Sequence, residues 1–264
     1  MTELLALPPA VIAALVAAAF VAGWVDAVVG GGGLIQLPAL LIGLPSDTPT
    51  AQVLGTNKIS SAAGTLTATI TYARRIALHA PTLIPLVLSA FAGSAAGAAM
   101  ARLIPKAALT PIVLVALVAV GLFTVFRPEL GLVHQPRHSG IAEITRTAAI
   151  GGTIGLYDGI LGPGTGSFFV IAMVAVLGYG FLEASAKAKV ANLTTNIAAI
   201  SVFGLNGEIL WAVGALMALA NLSGGWLGAR TALRNGNVFV RRVFLVVVGG
   251  LIVKLAFDTW QQFG

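Results

Sequence analysis

The 264-residue sequence contains no cysteine, and only 9% of its residues are charged. Without cysteine the chain can form no disulfide, iron–sulfur cluster or thiolate site. Soluble domains contain roughly 25% charged residues, so these few charges cannot cover a surface that faces water. The basic residues are not gathered with the aromatic ones in any segment, which argues against nucleic-acid binding.

Metal-ligating side chains are also scarce. The three histidines, His79, His134 and His138, fall in polar loops and share no ligand spacing. No polar stretch is long enough for a soluble ATPase or partner domain, since the longest, about 127–146, is predicted to be a loop. We therefore predict no metal, no cofactor and no enzymatic activity.

Apolar residues dominate instead. They make up 58% of the chain, and the mean hydropathy is +0.97. This composition predicts an all-α polytopic membrane protein, because a membrane helix needs about 20 apolar residues. No Lys or Arg precedes Lys58, so the first apolar segment is expected to stay in the membrane rather than act as a cleaved signal peptide.

Ten apolar segments follow one another, five in each half of the chain. The first half has segments 8–29, 34–44, 50–72, 81–101 and 107–126. The second half has segments 141–161, 167–177, 184–205, 210–227 and 240–257. The second segment of each half is short.

The halves also share a motif in which an aspartate precedes a glycine-rich break. Gly23, Asp26, Gly30 and Gly32 match Gly155, Asp158, Gly162 and Gly164 at a constant offset of 132. A matched offset over half the chain indicates a duplicated unit. We predict a first repeat at 1–127, a linker at 128–140 and a second repeat at 141–264, all within one membrane domain.

The distribution of basic residues predicts the orientation. If ten segments cross and both termini lie outside, eleven basic residues fall inside and two, Arg102 and Lys106, fall outside. This bias favours an odd number of crossings per half and therefore two inverted repeats. Segments 1 and 2, and likewise 6 and 7, could instead form re-entrant hairpins, which charge counting cannot distinguish from two crossings.

Glycine pairs spaced four residues apart predict close helix packing. They are Gly93 with Gly97, Gly224 with Gly228, and the longer series Gly151, Gly155 and Gly159. Small residues at this spacing let two helix backbones approach each other.

Asp26 and Asp158 are the first candidate functional residues, because a carboxylate inside the membrane costs about 2.5–3.5 kcal/mol. They are expected to hold the glycine breaks in shape or, alternatively, to carry a proton. After each break a short helix begins, and its free N–H groups and positive dipole end suit an anion. The candidate contacts there are Gly31, Gly32, Gly33 and Leu34 in the first half, and Gly164, Thr165, Gly166 and Ser167 in the second.

A third group of candidates lies in segments 3 and 8. Thr56, Asn57 and Lys58 interrupt an apolar run, and Asn192 and Asn196 lie at the matching place in the second half. Lys58 is interpreted either as a buried partner of an anion or as a side chain that snorkels to the interface. The buried amides are expected both to join helices and to contact substrate.

Taken together, these motifs resemble the TauE/SafE sulfite-exporter (TSUP) family of bacterial membrane proteins. The resemblance rests on Asp26 with Gly30–Leu34, on Asn57 with Lys58, and on their counterparts around Asp158, Gly164 and Asn192. It implies a secondary transporter in the inner membrane that moves sulfite, sulfoacetate or another organosulfonate. Protons are a possible coupling ion, the lipid bilayer is the surrounding partner, and the oligomeric state is left open.

Two other functions compete with this interpretation. A non-transporting membrane scaffold or sensor subunit would need a partner domain, and no loop is long enough to provide one. An intramembrane aspartyl protease would use Asp26 and Asp158 as two carboxylates that share a proton. Its Gly-x-Gly-Asp motif is missing, because Asp26 precedes its glycines.

Overall fold

The structure is a computed structural model that describes residues 7–45, 47–101 and 131–263, together with Val118 and Phe126. All regular elements in these ranges are helical, which confirms the predicted all-α class. The helices are α1 (Pro9–Val29), α2 (Gly33–Gly43), α3 (Thr50–Ala73), α4 (Ala80–Met100), α5 (Gly140–Ile160), α6 (Thr165–Ala172), α7 (Phe181–Leu205) and α8 (Trp211–Phe263). A π-helical turn, Met173–Leu177, extends α6.

Most of the predicted segments agree with these helices to within a few residues. The last two predicted segments correspond to two helices that meet at a sharp break within α8, so only the loop expected between them is wrong. The chain is helical throughout α8 except for a break at Gly236, where φ is 77°. Alanine, leucine and arginine, which fill much of that stretch, favour a helix whether or not they lie in lipid. Predicted segment 107–126 lies almost wholly outside the described residues.

The helices differ in their ability to cross a bilayer. Three helices of the described chain are long and apolar enough to do so: Pro9–Val29, Ala80–Met100 and Trp211–Val247. Helix α2 has 11 residues, which corresponds to only about 16 Å at ~1.5 Å per residue. It cannot cross a hydrocarbon layer of about 30 Å by itself. The sequence correctly predicted that the second segment of each half is short.

Each short helix folds back on the helix before it. A Cβ atom on Gly43, at the end of α2, would lie 3.2 Å from side-chain atoms of Val11 and Leu15 near the start of α1. In the second half, Arg137 donates its backbone N–H to the Leu177 carbonyl, so the end of the π turn returns to the start of α5. Helices α1–α2 and α5–α6 therefore form two hairpins whose tips are the glycine breaks.

The equivalent helices α3 and α7 run antiparallel. Gly55, near the start of α3, packs against Phe203 near the end of α7. Further along α3, Thr65 and Lys189 of α7 both reach the carboxylate of Asp26. Helix α3 begins at the open end of the first hairpin, and α7 begins at the open end of the second. Since α3 and α7 run antiparallel, the two hairpins enter from opposite sides and meet at their tips. This is the arrangement of an inverted repeat. The repeat boundaries predicted at 1–127, 128–140 and 141–264 stay a prediction.

The glycine faces join one repeat to the other. A Cβ atom on Gly93 of α4 would lie 2.4 Å from the Gly152 carbonyl oxygen of α5. The equivalent contact is made by Gly224 of α8, whose Cβ would lie 2.0 Å from the Phe20 carbonyl oxygen of α1. The same close packing is seen at Gly97, Gly151, Gly155, Gly159 and Gly228. The predicted glycine contacts are confirmed, and α4 packs on α5 as α8 packs on α1.

Two buried apolar clusters lie on either side of the hairpin tips. One surrounds α6 and α7 and includes Phe169 and Phe181. The other joins α2, α3, the end of α7 and α8, and includes Leu40, Phe203 and Met217. These clusters enclose the polar residues of the tips, which are described next.

Candidate functional site

The two glycine breaks cross each other through their backbones. Gly30 has a φ of 84°, and a Cβ atom on it would lie only 2.1 Å from the carbonyl carbon of Gly166. Ser167 donates its N–H to the Gly30 carbonyl at 3.1 Å and its hydroxyl to the Val29 carbonyl at 2.9 Å. Only glycine permits both the positive φ and this close approach.

Two buried ion pairs connect the repeats at the same place. Lys58 Nζ lies 2.6 Å from Asp158 Oδ2 and donates to the Asp158 carbonyl at 2.9 Å. Lys189 Nζ lies 3.0 Å from Asp26 Oδ2 and also donates to the Asp26 carbonyl. The aspartate of each hairpin is therefore neutralised by a lysine from the other repeat.

The position of the aspartates favours these lysines. Asp26 and Asp158 lie in the last turns of α1 and α5, where helix carbonyls lack intrahelical donors and the dipole is negative. An ammonium group at that end of a helix is stabilised by both effects. The four formal charges sum to zero. Removal of one member of such a buried pair costs about 3–5 kcal/mol because it leaves an uncompensated charge.

These contacts decide between several sequence interpretations. Lys58 is only 2% exposed, so the alternative that it snorkels to an interface is wrong. Asp26 and Asp158 stand directly beside the breaks, as expected for groups that hold the breaks in shape. The carboxylates bind lysines instead of sharing a proton, which removes the geometry that an aspartyl protease requires.

A small cavity lies between the hairpin tips. Its empty volume, including the mouth, is about 250 Å³. Ten of the fifteen predicted site residues line it: Asp26, Gly33, Asn57, Lys58, Asp158, Gly164, Thr165, Gly166, Asn192 and Asn196. The lining also includes Gly30, Gly162 and Ser61, which were not among the predicted contacts. Residues from both repeats thus surround one polar space.

Five predicted contacts lie outside the cavity lining: Gly31, Gly32, Leu34, Thr56 and Ser167. Thr56 is occupied elsewhere, because its hydroxyl accepts the Leu210 N–H at 2.9 Å. Gly32 faces its own hairpin, where a Cβ atom would lie 2.4 Å from the Ala22 carbonyl oxygen. Successive residues of a break point in different directions, so only some of them reach the cavity.

Asn196 presents an unpartnered donor to this space. Its side chain is 1% exposed, and its Nδ2 has no hydrogen-bond partner among the described residues. Burial of an amide donor without an acceptor costs about 1–3 kcal/mol. A bound ligand with an acceptor oxygen would satisfy it. The first turn of α6, with Thr165 and Gly166, lines the same cavity.

A chain of buried amides orients Asn57. Gln36 Nε2 donates to Asn57 Oδ1 at 2.9 Å and to the Asn57 carbonyl at 3.1 Å. Gln36 Oε1 accepts from Ser60 at 3.0 Å and from Asn221 Nδ2 at 2.7 Å. Because a carbonyl can only accept, the Gln36 amide has to present its nitrogen to Asn57. Asn57 Oδ1 therefore accepts the bond from Gln36, and Asn57 Nδ2 is the group that can donate to a ligand in the cavity.

Sequence reasoning missed Gln36, Ser60 and Asn221 in this network. Gln36 was the one detectable member, since it is an amide in the middle of the short apolar helix α2. A buried polar group in such a helix needs a partner in the bundle interior. Its partners come from α3 and α8 and could not be identified from spacing.

A second polar cluster lies between the starts of α4, α5 and α7. Glu143 accepts the Thr82 hydroxyl at 2.7 Å and the Tyr179 hydroxyl at 2.6 Å. Lys187 lies 4.4 Å from the centre of the Tyr179 ring. Burial, and then the hydrogen bond to Glu143, raise the pKa of Tyr179 to about 12, so its hydroxyl stays a donor at neutral pH. This cluster is separate from the cavity, whose lining contains none of its residues.

Comparison with known proteins agrees with the resemblance. The family model described as "Sulfite exporter TauE/SafE" matches residues 15–255. A "Probable membrane transporter protein ORF9" of Sinorhizobium sp is 38% identical over 247 residues, covering 94% of this chain and 93% of the relative. No solved structure matches the chain.

Two further relatives have similar names and coverage. A "Probable membrane transporter protein" of Haemophilus influenzae is 34% identical and covers 96% of this chain and 97% of its own length. The "Probable membrane transporter protein YfcA" of Escherichia coli K12 is 31% identical, with 96% and 93% coverage. These relatives are named as transporters and not as enzymes, in agreement with the sequence prediction.

The family match spans both hairpins, both ion pairs and the cavity, and the relatives align over nearly their whole lengths. The chain therefore belongs to the sulfite exporter TauE/SafE family and is a multi-pass membrane transporter.

Proposed function

We propose that the protein is a secondary transporter of small sulfur-containing anions, namely sulfite, sulfoacetate or another organosulfonate. The anion binds in the cavity between the hairpin tips and is driven by an ion gradient. The family description supports the substrate class. The observation that carries the site is the Nδ2 of buried Asn196, which has no partner among the described residues, in a cavity that Lys58 also lines.

The remaining lining suits an oxyanion. The first turns of α2 and α6 contribute Gly33 and Gly166, and N–H groups in a first helical turn have no intrahelical acceptor. Asn57 adds a further donor, because Gln36 engages its oxygen. Sulfite and sulfonates present three acceptor oxygens on one small head, and several convergent donors can bind them together.

The predicted contacts outside the lining have a supporting role in this proposal. Gly31, Gly32, Leu34, Thr56 and Ser167 hold the hairpins and α3 in place around the cavity. Asp26 and Asp158 neutralise the two lysines while no anion is bound.

We further propose an inner-membrane location with both termini outside. The support is the distribution of the basic residues in the sequence: ten lie on one side and two on the other once Lys189, which is buried against Asp26, is set aside from the eleven. Basic loops are retained on the cytoplasmic side. Reporter fusions at the two termini test this: alkaline phosphatase should be active and green fluorescent protein dark at both ends. The opposite pattern would reverse the orientation.

Flux measurements in proteoliposomes test the transport function. Radiolabelled sulfite and sulfoacetate should exchange across the bilayer, whereas phosphate and chloride should not compete at equal concentration. Asn196→Ala should raise the KM by about 3–30-fold, as expected for the loss of a buried hydrogen bond of roughly 0.7–2 kcal/mol. The matched control is Asn235→Ala, since Asn235 is an exposed asparagine on α8.

Two outcomes would count against this proposal. The absence of flux for every sulfur anion would favour the scaffold or sensor alternative. An unchanged KM in Asn196→Ala, with normal flux, would place the anion elsewhere in the protein.

A further inference from the structure

The two ion pairs differ in their access to the cavity, and on this we base an inference that rests on the proposed function. We propose that Asp158 is the proton-carrying group of the transport cycle, and that its protonation releases Lys58 to bind the anion. The Asp26–Lys189 pair stays closed throughout the cycle and joins the two repeats.

Access is the first difference between the pairs. Lys58 and Asp158 both line the cavity, and so does Asp26, but Lys189 does not. Lys189 is 0% exposed and lies behind its carboxylate. Lys58 Nζ stands beside the break at Gly162, where a Cβ atom would lie 2.9 Å from it. The missing side chain at Gly162 leaves the ammonium open to a ligand.

The number of donors at each carboxylate is the second difference. Asp26 Oδ2 receives Lys189 at 3.0 Å and the Thr65 hydroxyl at 3.5 Å. Within the described part of the chain, Asp158 Oδ2 has the Lys58 ammonium at 2.6 Å and no further donor. This oxygen therefore depends on one lysine, and loss of the carboxylate charge would free that lysine.

Charge balance then links the proton to the anion. With all four groups ionised the site is neutral, so a monovalent anion alone would leave one uncompensated negative charge in a buried place. A proton taken from the aqueous side converts Asp158 to its neutral acid, and the released Lys58 ammonium pairs with the anion. On the other side the anion leaves, the proton returns to water, and the Lys58–Asp158 pair forms again.

Other titratable groups around Asp158 do not provide this exchange. Lys58 faces it from α3. Tyr157 on the same helix donates its hydroxyl to the Pro163 carbonyl, and Asp26 across the cavity is held by Lys189. Helices α2, α4 and α6 contain no acidic or basic residue. Glu143 and Arg146 lie at the far end of α5.

Proton and anion fluxes measured together in proteoliposomes test the inference. Radiolabelled methanesulfonate is the main probe, because it stays monovalent and its own protonation cannot confuse the proton count; sulfite is measured in parallel. A trapped pH dye should report about one proton per methanesulfonate, since the loaded site has to be neutral. A potassium–valinomycin voltage should leave the wild-type flux unchanged.

The paired variants are Asp158→Asn and the double variant Asp26→Asn with Lys189→Met. Asp158→Asn imitates the protonated acid, so anion exchange should persist while proton movement falls at least tenfold and flux becomes sensitive to voltage. The double variant removes the other ion pair without changing the net charge of the site, so it should keep the proton-to-anion ratio of the wild type.

Three results would overturn the inference: voltage-dependent flux in the wild-type protein, proton movement that persists in Asp158→Asn, or coupling lost in the double variant Asp26→Asn with Lys189→Met. The wild-type voltage test needs no variant and can overturn the inference even if Asp158→Asn does not fold. Anion flux without protons would refute this inference only. The absence of any sulfur-anion flux would refute the proposed function and this inference together.

Discussion

Lys58 and Asp158 are 100 positions apart in the chain, yet Lys58 Nζ lies 2.6 Å from the Asp158 carboxylate. The pair joins α3 of the first half to α5 of the second. A matching pair, Lys189 with Asp26, joins α7 to α1. The two hairpins are therefore held tip to tip by reciprocal ion pairs, and each hairpin depends on a residue of the other half.

The Lys189–Asp26 pair predicts a strong effect on stability. Lys189→Met should destabilise the protein by about 3–5 kcal/mol, because it leaves the Asp26 carboxylate buried without a partner. The double variant Asp26→Asn with Lys189→Met should recover most of that loss, since no unpaired charge remains. Thermal unfolding in detergent at neutral pH measures both. If the double variant is as unstable as the single one, the pair's charge is not what the fold depends on.

The crossing of the glycine breaks predicts an intolerance to any side chain at Gly30. Gly30→Ala should lower stability by about 1–3 kcal/mol from its positive φ alone, and the contact with Gly166 adds to this loss. Transport should be abolished, because the two hairpin tips would have to move apart to make room for the added methyl group. Flux and melting temperature are measured side by side.

Gly249→Ala is the matched control for Gly30→Ala. Gly249 lies in α8, and a Cβ atom on it would meet no neighbour within 4 Å in the described part of the chain. Alanine there should be neutral or stabilise the helix by roughly 0.5–1 kcal/mol. Normal flux in Gly30→Ala would show that the breaks do not need their close contact.

The amide chain predicts an effect of Gln36 on affinity. Gln36→Met removes the donor to Asn57 Oδ1, which lets the Asn57 amide turn its oxygen towards the anion. The KM for sulfite should rise by about 2–10-fold, equivalent to one hydrogen bond of 0.5–1.5 kcal/mol, with a smaller change in maximal rate.

Ser60→Ala serves as the comparison for Gln36→Met. It removes one donor to Gln36 but keeps the bond from Gln36 to Asn57, so its KM should stay closer to the wild-type value. A larger rise in KM for Ser60→Ala than for Gln36→Met would contradict the role assigned to the amide chain.

Local patterns account for the part of the fold that was predicted correctly. Apolar runs of about 20 residues produced α1 and α4, and the glycine breaks marked where α2 and α6 begin. Hydropathy placed the end of segment 210–227 too early, because polar residues from Arg230 onward continue the helix to the break at Gly236. A helix is stabilised by its own backbone hydrogen bonds and does not end where its residues stop being apolar.

The candidate site was predicted only in part, for a related reason. Asp26, Lys58 and Asn57 were found because a polar group inside an apolar segment is costly and stands out. Their pairing was not predicted: Lys189 belongs to the family motif with Asn192 and Asn196, but spacing does not say whether Lys187 or Lys189 reaches Asp26. The structure separates them: Lys189 binds Asp26, and Lys187 packs on Tyr179.

Composition and duplication were thus sufficient to identify a membrane protein of two similar halves with an aspartate before each glycine break, because hydrophobicity and internal repeats are properties of the chain alone. The tertiary structure decided which lysine neutralises which aspartate, which face of each break lines the cavity, and that Asn196 Nδ2 has no partner there among the described residues. Those contacts join residues far apart in sequence, and their free energy depends on distance and burial, which no local pattern contains.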